Sequence, residues 1–156
     1  MRMVLSTLVD LIKIDTQNPG GSSKKFIDYT LEKIAPYGFD YTIYEAGNGK
    51  YNLIVGVEGL SRKNRIAFNG HFDTKPLGNI EEWIVDPFGA VQMDGKIYGV
   101  GGSDMKGGVA SMIELLHYLG KNNIKPKYNL EFHFVDDEEN NSTYGMKYLV
   151  ENGCIQ

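Results

Sequence analysis

The sequence is poor in cysteine, in long apolar runs and in clustered positive charge, and each shortage removes a class of protein. Cys154 stands alone, so no disulfide can form within the chain. That usage suits a reducing compartment. No stretch is long and apolar enough to cross a bilayer as a helix. Near the N-terminus, Val4, Leu5, Leu8, Val9 and Ile12 fall at helical spacing, and Asp10 and Lys13 interrupt what would be the apolar core of a signal peptide. A cytoplasmic location is therefore expected. A net charge of −4, with no run of Lys and Arg, argues against a nucleic-acid partner. Internal repeats, low-complexity segments and flexible linkers are also missing.

What is present is ordinary for a globular domain: 156 residues, 42% hydrophobic and 23% charged, enough for one hydrophobic core. Glycine is plentiful at 19 residues. An amphipathic helix is predicted from about Met3 to Ile14, closed by the turn chemistry of Asn18-Pro19-Gly20-Gly21. Ser22 or Ser23 caps a second helix to about Ala35, and Pro36 and Gly38 stop it. Strand-like runs follow at Phe39–Glu45, Tyr51–Val57 and Arg65–Asn69. Leu77–Gly89 reads as a loop. Ala90–Met93 and Lys96–Tyr98 flank an Asp94-Gly95 hairpin turn. A third helix, about Met105 to Lys121, has one apolar stripe through Val109, Met112, Ile113, Leu116 and Leu119. Tyr128–Val135 is a strand, and Tyr144–Glu151 a short helix ended by Gly153. This mixture implies an α/β domain whose sheet is covered on both faces.

Three polar clusters sit where a strand ends or a helix begins, the usual place for a site in an α/β sheet. In His71-Phe72-Asp73 the outer two residues point the same way, so Asp73 can orient the His71 ring and raise its basicity. Alone, such a pair is a weak signal, and two solvated loop residues is the better reading of it. In the run Gly99 to Gly108, Asp104 precedes a helix and could be a plain N-cap. The run does not read as a phosphate loop: Gly-Lys-Ser/Thr is missing, and Asp104 stands where a dinucleotide fingerprint needs its third glycine. The acidic run Asp136-Asp137-Glu138-Glu139 would ordinarily be a solvated turn. Beside a cation, one glutamate can bind metal while its neighbour handles a proton. One imidazole with carboxylates and no cysteine suits zinc, cobalt or manganese, and a bridging carboxylate permits a metal pair.

Taken in order, Asn69-Gly70-His71-Phe72-Asp73-Thr74, Trp83 with Asp86-Pro87-Phe88, Tyr98 to Gly108, and Asp137-Glu138-Glu139 followed by Gly145 closely resemble one family. It contains the aminoacylases, acetylornithine deacetylases, succinyl-diaminopimelate desuccinylases and carboxypeptidases G. Asp15-Thr16-Gln17-Asn18-Pro19 resembles the family's segment after its first helix, so the likeness covers essentially the whole chain. It implies the N-terminal part of a zinc-peptidase-like catalytic domain: a mixed, largely parallel twisted sheet flanked by helices. It implies hydrolysis of an amide bond in an N-acyl amino acid or small peptide. By position, His71 resembles a ligand to the first zinc, Asp73 the carboxylate that orients it, and Asp104 the bridging ligand, with the Asp104–Met105 peptide often cis. Glu138 resembles the general acid/base and Glu139 a ligand to the second zinc. Val100 departs from a position where many relatives carry a basic residue.

The resemblance further implies an acidic ligand and a second histidine downstream of these residues, and a lid or dimerisation domain. Residues 1–156 are thus expected to be a fragment with each metal one ligand short, inactive by itself, and self-associating or joined to its missing C-terminal part. His117, within a helix, and His133, inside a strand, are expected to be ordinary residues rather than replacement ligands. Two rival readings remain: a non-catalytic metal-binding or interaction module that keeps the scaffold, and a flavodoxin-like nucleotide binder, which the failed glycine patterns disfavour.

Overall fold

Apolar residues at helical spacing shape three helices that share one core. The computed structural model describes residues 2–155. In it α1 spans Arg2–Lys13, α2 Ser23–Ile34 and α3 Gly107–Lys121. The Ser22 hydroxyl accepts a hydrogen bond from the Lys25 amide and so caps α2. A short turn through Ala35–Tyr37 then ends that helix at Gly38, whose φ of 64° is left-handed. Leu11 of α1, Phe26, Ile27 and Ile34 of α2, and Val109, Ile113 and Leu116 of α3 are buried together. Each such side chain contributes roughly 1.5–3 kcal/mol by leaving water.

The partner of that helical layer is a four-stranded sheet in the order β1-β2-β6-β3. Its strands are β1 (Asp40–Gly47), β2 (Lys50–Val57), β3 (Ser61–His71) and β6 (Tyr128–Val135). Alternation places Leu53, Val55 and Val57 of β2 and Phe132 and Phe134 of β6 against the helices. A separate hairpin pairs β4 (Val91–Met93) with β5 (Lys96–Tyr98), and α4 (Met146–Glu151) closes the described chain.

Two expectations need correcting. The α/β architecture with a mixed sheet is present, but parallel pairing does not dominate. β1–β2 and β2–β6 are antiparallel, and only β6–β3 is parallel. The cause is local: β1 and β2 are joined by the tight Asn48-Gly49 turn, both residues left-handed, and no helix intervenes. Nor are both faces covered alike. The face away from the helices carries Ala67, Asn69, Asn129, Glu131 and His133, and α4 packs on it at Tyr44, Ile54 and Val135. No helix among the described residues is long and apolar enough to cross a membrane.

β3 runs parallel to β6, so the ends of both strands emerge side by side. His71 pairs with Val135 at the last rung. The two acidic clusters that follow these strands are thereby brought together from positions 71–73 and 136–139.

Candidate metal centre

Behind the site lies a buried carboxylate whose every oxygen is engaged. Asp73 is fully buried. Its Oδ1 accepts from the Glu138 amide (3.2 Å), and its Oδ2 from the Glu139 amide (3.1 Å) and the Asn18 side-chain amide (3.0 Å). His71 Nδ1 lies 3.4 Å from Asp73 Oδ1 and 3.2 Å from its carbonyl oxygen. Asp73 therefore fixes both the imidazole and the backbone of the Glu138-Glu139 turn. Burial alone would raise the Asp73 pKa. The His71, Asn18 and Glu139 hydrogen bonds override it and hold the carboxyl below its ordinary value. Phe72, between the two site residues, stacks on Phe26 of α2 with ring centroids 3.9 Å apart, which ties the segment to the core.

The second support is the turn after β6. Asp136 and Asp137 are buried, whereas Glu138 is exposed and Glu139 half-buried. Asp137 has a φ of 65°, which turns the chain sharply so that the two glutamates come back over His71. Its carboxylate accepts from Asn18 (2.8 Å) and from the Tyr144 amide (2.9 Å). Asp136 pairs with Lys50 (3.1 Å) and is hydrogen-bonded by Ser23, yet burial keeps its carboxyl above the usual range. The chain passes so close at Gly145 that a Cβ there would collide with the Asp136 carbonyl oxygen.

Asp104 arrives from a distorted turn, Gly102–Lys106, that leads into α3. The Asp104–Met105 peptide is cis, as is Asn18–Pro19. Gly101 enters this turn at φ 69°, and a Cβ on it would strike the Thr74 methyl group. Lys106 is wholly buried and donates to the Ile14 carbonyl (2.8 Å), fastening the turn to the end of α1. Burial lowers its pKa to about 8, against the opposing charge of Asp15. Val100 is buried in this loop, and its amide donates to the Pro87 carbonyl (2.7 Å).

These supports bring the outer nitrogen of His71 to the carboxylates. Nε2 lies 3.0 Å from Asp104 Oδ1 and 3.7 Å from Glu138 Oε2. Ligand atoms of His71, Glu138 and Glu139 all fall within 4.8 Å of one another. Burial alone would lower the His71 pKa, but Asp73 first and Asp104 next raise it to about 9. A ring so placed holds a cationic group at Nε2, and a metal ion can take the place of that proton. The donor chemistry fits a divalent ion: an imidazole oriented from behind by a carboxylate, facing several carboxylate oxygens.

Of the five residues singled out in the sequence, His71, Asp73, Glu138 and Glu139 are thus brought together, and Asp104 joins them through its contact with His71 Nε2. His117 and His133 stand elsewhere: His117 Nδ1 is 3.0 Å from the Tyr37 hydroxyl, and His133 Nε2 is 2.6 Å from Glu131. Sequence reasoning gave no role to Asn18, Asp137 or Lys106. Their one signal was position, since each lies inside a stretch already conspicuous for its turn or acidic chemistry. Lys75, whose Nζ is 2.8 Å from Glu139 Oε2, gave no signal at all.

Comparison with known proteins gives the chain a family and its fold a counterpart. The model of peptidase family M20/M25/M40 matches residues 67–156. The chain is 38% identical to an uncharacterised metallohydrolase of Methanocaldococcus jannaschii, over 92% of this chain and 38% of that protein. It is 34% identical to a succinyl-diaminopimelate desuccinylase of Rickettsia typhi, with the same two coverages. The chain therefore spans about two fifths of the length of these relatives. Among solved structures it superposes on human carnosine dipeptidase 1 with a TM-score of 0.80 at 21% identity, covering 96% of this chain and 34% of that one. A tripeptidase of Staphylococcus aureus gives a TM-score of 0.70 at 27% identity, covering 97% and 40%. With the family model matching more than half of its residues, this chain belongs to peptidase family M20/M25/M40.

Proposed function

We propose that this chain supplies the metal-binding half of an active site that hydrolyses an amide bond in an N-acyl amino acid or small peptide. The observation that carries the reading is the convergence of His71, Glu138 and Glu139, with Asp104 against the outer nitrogen of His71 and Asp73 behind the ring. In this reading His71, Asp104 and Glu139 would hold zinc ions, His71 at a first position, Glu139 at a second and Asp104 serving both, with cobalt or manganese as substitutes. Bound there, the ions would make a water acidic and polarise the amide carbonyl. Glu138 takes the proton of the attacking water and returns it to the leaving amine. Its side chain is half-exposed beside His71, open to a substrate and hydrogen-bonded through its backbone to Asp73. Asp73 keeps Nε2 of His71 aimed at the cation and holds the Glu138 turn in register.

A catalytic zinc ordinarily takes three protein ligands and a water. The residues assigned here give each ion two, so the proposed site draws further ligands from outside residues 1–156. Residues 1–156 are accordingly read as the N-terminal part of a hydrolase catalytic domain, unable to turn over substrate alone. The polar face of the sheet and the β3 edge, paired only with β6, are where the remainder or a second copy would pack. The same ligand shortage favours one alternative, a metal-binding module without catalysis. Replacing Glu138 by Gln separates the two in a protein carrying the full ligand set. The hydrolase reading expects activity to fall about 10²–10⁴-fold while metal binding persists. Unchanged hydrolysis would refute the role of Glu138, and absence of hydrolysis in the parent protein would favour the binding module.

A further inference from the structure

Lys75 lies two residues beyond Asp73, and its backbone is pinned. The neighbouring Thr74 donates to the Thr16 carbonyl (3.1 Å) and accepts from the Asn18 amide (2.8 Å), and the Leu77 amide donates to the Gln17 side chain (2.9 Å). The Lys75 side chain is 72% exposed and long, yet its ammonium lies on Glu139, whose side chain is only 10% exposed. Glu139 first, and then Glu138 and Asp104 by their charge, favour its protonated form. The lysine thus answers electrostatically to the three carboxylates assigned to the cation. An exposed ion pair is usually worth little in stability. Here its significance lies in which carboxylate it engages.

We propose that Lys75 is an internal competitor for the cation held by Glu139. This rests on the metal-site reading above. One carboxylate cannot give its full charge to both an ammonium and a divalent ion, and two cations on it repel each other. Metal binding at Glu139 therefore releases Lys75 into solvent, and Lys75 weakens binding at the second position more than at the first. Because the ammonium is exposed, its effect is screened by salt.

The test is calorimetric titration of the metal-stripped chain with zinc, comparing the parent with Lys75→Met, Lys75→Arg, Glu139→Gln and Lys75→Met/Glu139→Gln. Lys75 is exposed, so its replacement leaves the fold intact, which far-UV circular dichroism checks. Lys75→Met is expected to tighten the Glu139-dependent binding by about fivefold at low salt, with the gain shrinking as salt rises. Lys75→Arg should behave as the parent, and Lys75→Met should have no effect once Glu139 is Gln. Equal zinc affinity in parent and Lys75→Met, or a gain that survives in the Glu139→Gln background, overturns the proposal while leaving the metal site standing. Titrated alongside, His71→Ala and Asp104→Ala serve as controls: zinc binding unchanged in both overturns the metal-site reading and this inference with it.

Discussion

The floor and the mouth of the site are built on opposite plans. On the floor, Asp73, Asp136, Asp137 and Asn18 are buried and interlocked by hydrogen bonds to backbone amides and to one another. At the mouth, Asp104 and Lys75 are 78% and 72% exposed, Glu138 is half-exposed, and the contacts are between side chains. Buried carboxylates cost too much to leave unpaired, so the floor is fixed by folding itself. The mouth keeps its charges in water, where they can exchange partners. Orientation is thus stored in one layer, and the proposed function places reactivity in the other. Removing a floor residue should cost stability and metal affinity together, whereas removing a mouth residue should cost function with the fold intact.

The largest effect expected is at the mouth. Glu138→Gln in the protein with its full ligand set lowers hydrolysis about 10²–10⁴-fold and barely moves the unfolding midpoint. A large loss of stability would erase the distinction between the layers. On the floor, Asp73→Ala should destabilise the chain by roughly 3–5 kcal/mol, because the Glu138 and Glu139 amides and the Asn18 amide lose a buried acceptor. Zinc affinity should fall about 10–100-fold with it. Denaturant unfolding and calorimetry measure both, and a stable, tightly binding Asp73→Ala would break the comparison.

A smaller effect comes from His71, which joins the two layers. Its pKa is raised from 6.5 to about 9 in the folded chain. Its contribution to the stability of the metal-stripped protein is therefore fully present below pH 6.5 and is lost as pH rises through about 9. Urea unfolding across that window should show stability falling with pH in the parent and a flatter profile in His71→Asn. Smallest of all, Lys75→Met should move the unfolding midpoint little, because the Lys75 ammonium is solvated. A clear drop would place Lys75 with the floor.

The sequence made the mouth easier to read than the floor. His71, Asp104, Glu138 and Glu139 stand at element ends beside glycine or within an acidic run, where their chemistry is conspicuous, and the family resemblance named them. Helix and strand periods placed most elements to within a few residues, and Tyr128–Val135 ends at the predicted residues. The floor was less visible because its contacts join distant segments: Asn18 reaches Asp73 and Asp137, and Lys50 reaches Asp136. Nothing in local pattern announces such pairs. Asp136 and Asp137 looked like part of a solvated run, because sequence alone does not say that the left-handed turn at Asp137 buries two carboxylates and exposes the next. Strand direction was missed for a related reason. The short β1–β2 connection sets an antiparallel pair, and the partner of β6 is decided by packing rather than by its own residues.

His71 and Asp104 are proposed to hold a divalent cation aimed by Asp73. The most direct test is zinc titration of the metal-stripped chain, parent against His71→Ala, Asp104→Ala, His117→Ala and His133→Ala. Zinc binding lost in the first two variants and kept in the last two is the predicted result. Binding that survives the loss of His71 and Asp104, or that depends on His117 or His133, would contradict the account.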